Sequence, residues 1–428
     1  MPLLFLMSFV SYLDRGNVSV LASSINTSLD MTATAFGFAA SLLFWGYLVF
    51  EIPSNVALHR FGGRVWLARI MITWGIITGL TFFVQNEWQF DLARFLLGAA
   101  EAGLIPGILY YLASWLPQSR RQGTFSLFQL SVPISLVLTA LVTSALLAAV
   151  QPIVGPDYEW RWVLLAEGVI TVVIGIVALF VLPSRPSDAR WLTKEEAAGL
   201  EQAIAAEETA DSGRSGNDLV RTLRVLGSGR AWYLSIIALL MLIGSWAVIF
   251  WLPQIIAGYF KTDAVASGFL SAIPYVAAVI GLLITRVTAQ RTGDRRWHML
   301  IALAVGAAGL LVSAVVPNGV IALIGLSLGL AAVQVSLPLL IGVQSMVFTG
   351  VMTAALLAMA NSVGSLGGTL GPLLFGLSSD HLGGVTPALG LMAALMAIAA
   401  VMAFFAERVT VRRSAAATLP VASEAVEP

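Results

Sequence analysis

Asp14 and Arg15 stand side by side in the middle of the first apolar stretch, within Ser11-Tyr12-Leu13-Asp14-Arg15-Gly16-Asn17. A full charge near the centre of a bilayer costs about 2.5–3.5 kcal/mol on insertion scales. Opposite charges kept there point to the handling of a charged solute or a proton inside the membrane. Neighbouring residues on a helix diverge by about 100°, so each must face a different neighbouring helix. Ser8, Tyr12, Arg15 and Ser19 fall on one stripe at 4-3-4 spacing, a polar face suited to a wet cavity, with Ser11 and Asp14 on the adjacent stripe. The bland alternative is that both charges only lock helices together.

Other candidates lie on other apolar stretches. Tyr47, Glu51 and Asn55 recur at i, i+4 and i+8, with Tyr47 deep enough to line a cavity. Arg94 and Glu101 are seven residues apart, nearly on one face, with Glu101 near mid-depth. Burial penalises the charged form of a carboxylate, the property a proton carrier needs. The structural alternative for Glu101 is a permanent pair with Arg15. Gln129, Pro133, Gln334, Gln344 and Asn361 are uncharged polar or kink positions, each more often a helix–helix contact than a ligand contact. The run Gly364-Ser365-Leu366-Gly367-Gly368 lies in an apolar helix rather than after a strand, which excludes a phosphate loop. The charged mid-depth positions belong to the first and fourth helices, and the second half of the chain has none, so coupling is expected in the first half and shape selection in the second.

The elements that position these groups follow from composition. The chain of 428 residues is 58% hydrophobic and only 11% charged, where a soluble domain carries about 25% charged residues. It is therefore a polytopic membrane protein in contact with lipid. Net charge is zero, so no basic footprint points to nucleic acid. With no cysteine, and three histidines at predicted helix ends, there is no thiol nucleophile, cofactor attachment or metal site to propose. Protons would have to ride on carboxylates. The first apolar run lacks a basic leader and is long enough to span, so it reads as a helix and not a signal peptide.

Spans of about 20 apolar residues fall near 2–26, 35–57, 66–85, 90–113, 122–149, 162–182, 231–258, 265–288, 297–316, 319–344, 350–377 and 385–406. Nineteen of the 23 Lys and Arg lie in even-numbered connections or the C-terminal tail, which places both termini in the cytoplasm. The expected class is an all-α membrane protein, with twelve transmembrane helices in two pseudo-symmetric six-helix bundles, 1–182 and 231–406. Residues 183–230 form a cytoplasmic linker, in which Thr193-Lys194-Glu195-Glu196 opens a short helix through about Glu208. Gly/Ser-rich 211–217 reads as flexible, and 407–428 as a disordered tail. The motif R-x-G-x-R-x-W occurs twice, at Arg60–Trp66 and Arg291–Trp297, after the second and eighth spans. Parallel repeated halves around a mid-depth site are the plan of major facilitator carriers.

At family level, Tyr12-Leu13-Asp14-Arg15, Phe50-Glu51-Ile52-Pro53-Ser54-Asn55 and Arg94-Phe95-Leu96-Leu97-Gly98-Ala99-Ala100-Glu101-Ala102-Gly103 resemble the anion:cation symporters of that superfamily. So do Trp160-Arg161-Trp162 with Glu167-Gly168, Phe250-Trp251-Leu252-Pro253-Gln254 and Asn361-Ser362. The resemblance runs collinearly from residue 1 to about 406. It implies a proton-driven importer of organic anions such as sugar acids, tartrate, phthalate or nicotinate. It further implies that Asp14 and Glu101 handle protons, that Arg15 recognises the anion, that Arg94 is the companion arginine of the coupling group, and that Tyr12, Tyr47, Gln129 and Asn361 line the cavity. Departures fall in the second half. Ala289-Gln290-Arg291 stands where Ser-Asp-Arg is usual, Ser365 replaces an Asn, Thr369 a Phe, and Leu337-Pro338-Leu339-Leu340 lies where aromatics are common.

The expected function is proton symport of a mono- or dicarboxylate across the bacterial inner membrane by alternating access, for which a monomer suffices. The alternative is a proton-antiporting efflux carrier on the same fold. Such exporters share a Gly-rich fifth helix ending in Gly-Pro, and here no glycine follows Gly123 through Val150. An intramembrane enzyme would need a metal cluster or nucleophile–base pair in the helices, and a sensor a larger cytoplasmic domain.

Overall fold

The computed structural model describes residues 2–116, 124, 128, 131–155, 158–189, 191–202, 218–348 and 351–411. Twelve membrane helices follow in order: α1 Pro2–Leu29, α2 Ala33–Phe61, α3 Gly63–Leu80, α4 Glu87–Glu101 continued by Leu104–Ala113, α5 Ser131–Val154 and α6 Glu159–Val181. The second half repeats the plan with α7 Gly229–Phe260, α8 Ala264–Leu270 continued by Ala272–Thr292, α9 Arg295–Val315, α10 Gly319–Gln344, α11 Val351–His381 and α12 Val385–Val411. Among the described residues ten of these are long and apolar enough to cross a membrane by themselves. The other two, α1 and α11, interrupt their apolar stretches with polar residues and, in α11, with glycines.

The helix starts are written in the sequence. Thr32, Asn86, Asp263, Asp294 and Asn318 each accept from a backbone N–H of the first turn and so cap α2, α4, α8, α9 and α10. Both R-x-G-x-R-x-W motifs end a helix on a positive-φ glycine, but with different turns: Gly62 ends α2 at φ +81° and ψ 152°, and Gly293 ends α8 in the left-handed region at φ +69° and ψ −2°. After each turn an arginine lies over the motif's tryptophan, Arg69 on Trp66 at 4.1 Å and Arg296 on Trp297 at 5.6 Å. The repeat thus places a helix-ending glycine and a tryptophan covered by an arginine in both halves, with different local geometry.

Two expectations need adjustment. The fourth span is not continuous. Ala102 and Gly103 leave the helix, Gly103 at φ +87°, and the chain re-enters it with Gly107 N–H donating to Gly103 O at 2.8 Å. A side chain at Gly103 would be strained by that angle. Glu101 therefore closes a helix segment at mid-depth. At the other end of the chain, α12 continues to Val411, beyond the expected end at 406, because Arg408 and its neighbours extend the helix past the apolar stretch.

In the connecting segment the Thr193 capping box is present. Glu196 N–H donates to Thr193 Oγ1 at 3.2 Å, and Thr193 N–H to Glu196 Oε2 at 2.9 Å. The expected flexible stretch 211–217 lies outside the described residues, as do Gln129 and the tail beyond 411.

The two halves meet along the first part of α2. Phe36 packs edge-on to Trp251, Phe44 contacts Trp246 and Phe250, and the Thr34 N–H donates to Asp380 Oδ2 of α11 at 2.7 Å. Further along α2 the side chains come free, with Ile52 74% and Val56 66% exposed. The halves are therefore joined at the end of the molecule remote from the chain termini.

Candidate transport site

The polar groups of α1 are buried among α2, α3, α4, α5 and α6. Arg15 turns toward α4, where its Nε donates to Glu101 Oε1 at 2.9 Å. Ser11 Oγ donates to the same oxygen at 2.5 Å. Ser11 therefore serves the Arg15 group and not Asp14, because one turn of helix brings it under Arg15 on the side facing α4. Two rings flank the guanidinium, Tyr47 at 4.9 Å and Tyr12 at 5.7 Å. The pair is half satisfied. Arg15 Nη2 and Glu101 Oε2 are both buried and have no hydrogen-bond partner among the described residues. A buried polar group left in that state costs about 1–3 kcal/mol, and more when charged. One edge of the arginine is thus available to a carboxylate, and one oxygen of the glutamate to a proton.

Asp14 faces the opposite way, toward α3. It accepts from Trp74 Nε1 at 2.9 Å and from Thr78 Oγ1 at 3.1 Å. It makes no contact with Arg15, as the helical geometry requires. Arg94 of α4 shares with it a small cavity, also lined by Val18, Thr81, Phe90 and Leu97. Arg94 is 4% exposed, and its Nε and Nη2 have no hydrogen-bond partner among the described residues. Each of the two arginines thus faces a different carboxylate of the site, Arg15 in contact and Arg94 across the cavity.

Of the other candidates, Tyr12 and Tyr47 join the Arg15 group, whereas Asn361 stands apart. Its side chain is exposed on α11, and its backbone carbonyl accepts from Ser365 Oγ at 2.8 Å. No described contact brings it to Arg15. Gln344 is buried and donates to Leu234 O at 3.4 Å, tying α10 to α7 as a helix–helix bond. Pro133 is buried in α5.

Residue reasoning left Glu167 and Asn17 without a role. Asn17 Nδ2 donates to Glu167 Oε2 at 2.5 Å and lies 3.5 Å from Asp14 Oδ1, while Thr143 of α5 donates to Glu167 Oε1 at 3.1 Å. A carboxylate in the middle of the apolar α6 was the available signal. What was missing was the rotation that turns it toward α1.

Two repeated six-helix bundles with charged side chains buried at mid-depth define a polytopic membrane carrier. The sequence profile of the Major Facilitator Superfamily matches residues 4–253 and 234–425, and the chain belongs to that family. It is a multi-pass membrane transporter and not an enzyme. A protein of Agrobacterium vitis designated a candidate tartrate transporter is 37% identical over 412 residues, covering 95% of this chain and 89% of that one. A quinolone resistance transporter of Acinetobacter baumannii is 31% identical, covering 94% and 92%. Among solved structures, a bacterial homologue of the human lysosomal transporter Spinster, inward-facing and unoccupied, superposes with a TM-score of 0.78 at 16% identity, covering 96% of each chain.

Proposed function

We propose that this carrier imports an organic anion, a mono- or dicarboxylate of the tartrate class, together with protons by alternating access. The observation that carries the reading is the half-satisfied pair at the centre of the first bundle. Arg15 presents an unpartnered guanidinium edge between two tyrosine rings, and Glu101 holds it through a single oxygen. A planar guanidinium is suited to two-point recognition of a carboxylate. The relative designated for tartrate supports the same solute class.

In the proposed cycle a proton arriving from outside neutralises Glu101 and dissolves its charge pairing with Arg15. Arg15 then takes the substrate carboxylate. Asp14 accepts its proton apart from Glu101, on the α3 side, where Arg94 responds to its charge. The loaded bundles rock about the site, and proton loss to the cytoplasm lets Glu101 recapture Arg15 and expel the anion. The end joined through Phe36, Phe44 and Asp380 is assigned to the outside and the termini to the cytoplasm of a bacterial inner membrane, in line with the distribution of basic residues.

The test is uptake of radiolabelled L-tartrate into proteoliposomes with an imposed pH gradient, acid outside. Accumulation that collapses with a protonophore is expected. Absence of uptake for tartrate and for a panel of sugar acids and aromatic carboxylates would remove the organic-anion reading. The quinolone resistance relative supports the second reading, proton-driven efflux on the same fold. Gradient-driven extrusion of a fluoroquinolone with no carboxylate uptake would select it.

A further inference from the structure

Glu167 is 3% exposed in the middle of α6, yet the proposed cycle gives it nothing to do. Its two oxygens accept only from neutral donors, Asn17 Nδ2 and Thr143 Oγ1. Among the described residues no cation lies within ion-pair distance of it. The elements packed on α6 explain why. α5 has no charged residue, and the short 3-10 turn Thr81–Phe83 after α3 has none either. α3 carries Arg64 and Arg69 near its first turns, and Arg64 Nε is already bonded to Leu179 O at 2.6 Å. Gly75 and Gly79 of α3 lie opposite Gly168, so Arg69 stands at least six residues, about 9 Å of helix, from this level.

On α6 itself, Glu159 and Arg161 sit about 12 and 9 Å toward the helix start, where Ser24 donates to Glu159 and Arg161 donates to Ser28 and Val84 O. α1 brings Asp14 and Arg15, and Arg15 faces α4. The charged group that reaches Glu167 is therefore another carboxylate, Asp14, joined to it by the single amide of Asn17.

The buried group as a whole contains Asp14, Glu101 and Glu167 against Arg15 and Arg94, one negative charge too many for a low-dielectric site. An uncompensated buried charge is relieved by neutralisation. Glu101 has Arg15 in contact, and Asp14 has two donors and faces Arg94 across the shared cavity. Glu167 has neither cation.

We propose that Glu167 is a third member of the charged group, that it shares one proton with Asp14 across Asn17, and that Glu167 holds that proton in the conformation seen here. Its part is that of a positioning residue: while neutral it places no second negative charge beside Asp14, and it takes up the charge when Asp14 is neutralised. The step is simple protonation, with the proton supplied by water on the acid side. The inference rests on the carrier reading only for its meaning in transport.

The test needs no substrate. Full-length protein in lipid vesicles at neutral pH is measured by infrared spectroscopy, unlabelled and with 13C-glutamate. The wild type should show the carbonyl band of a protonated carboxylic acid, and glutamate labelling should shift it. In Glu167→Asp the band should remain but no longer respond to the label. Asp14→Asn, which removes the excess charge, should lose the band as Glu167 ionises. Absence of the band in wild type, indifference of that band to glutamate label, or a label-sensitive band in Glu167→Asp would each overturn the assignment. A band of full intensity in Asp14→Asn would overturn the sharing. The wild-type labelling experiment decides the case even should a variant fail to fold. L-tartrate uptake measured on the same vesicles tests the substrate reading separately, since its failure leaves the band unaffected.

Discussion

The two bundles share a plan and differ in what they bury. The first holds Asp14, Arg15, Arg94, Glu101, Glu159, Arg161 and Glu167 inside it; the second buries serines, Gln344 and a long apolar core, with no ionic side chain among its described buried residues. The same architecture thus serves two purposes. One half places charge where it can be neutralised and re-formed, and the other offers a neutral wall. Buried ion pairs are weak stabilisers and costly when half broken. Their concentration in one bundle is easier to explain by switching than by stability.

Removing the centre of the charged half should have the largest effect. Arg15→Ala leaves Glu101 buried without its cation and takes away the carboxylate contact. Loss of a buried charge partner costs about 2–5 kcal/mol, so L-tartrate uptake should fall by roughly 30-fold or more. Wild-type uptake in this variant would end the comparison between the halves.

A smaller effect is expected at the joined end. Asp380 is exposed in the last turn of α11. Burial is the largest single influence and raises its pKa, but the hydrogen bonds from Thr34, Thr32 and Ala33 at the start of α2 together outweigh it and hold the group below the usual carboxylate value. A depressed pKa means that the contact contributes above the ordinary Asp value of about 4 and is lost as pH falls through the bound one. Across neutral pH the junction should not change, and it should loosen only in stronger acid. Asp380→Asn should shift the balance toward the separated state by roughly two- to fivefold, the range of a charge at a helix N-terminus. Labelling of a Phe36→Cys reporter in this cysteine-free chain reads that balance. Equal labelling with and without Asp380→Asn would remove Asp380 from the junction.

The smallest effect belongs to the neutral wall. Asn361 offers at most a neutral hydrogen bond, worth about 0.5–1.5 kcal/mol, so Asn361→Ala should weaken apparent affinity by no more than about tenfold. The ratio of protons to substrate should stay the same. A change in coupling in this variant would show that the second bundle takes part in proton handling.

Much of the fold was legible in the residues. Apolar length set the twelve spans, and the repeated Arg-Gly-Arg-Trp motif marked the two halves; the caps at Thr32, Asn86, Asp263, Asp294 and Asn318 emerged with the structure. The adjacency of Asp14 and Arg15 already implied different partners, and α3 and α4 supply them. Less legible was anything that depends on helix rotation. Ser11 shares an oxygen with Arg15 because of the turn that α1 makes against α4, and no periodicity fixes that angle. Glu167 could be read as a buried carboxylate but not as a neighbour of Asp14, since the pairing of α6 with α1 is a tertiary choice. The break at Gly103 was hidden for a similar reason. Gly-x-x-Pro-Gly in an apolar span is compatible with a bend or a gap, and close packing decides between them.

The most direct measurement separates accumulation from exchange in Glu101→Gln. With glutamine fixed in place of the neutral acid, Arg15 keeps its neighbour but can no longer regain a charged partner. Proton-driven accumulation of L-tartrate should be lost while counterflow exchange between tartrate pools continues. Accumulation at the wild-type level in that variant would contradict the claim that the Arg15–Glu101 pair couples protons to the anion.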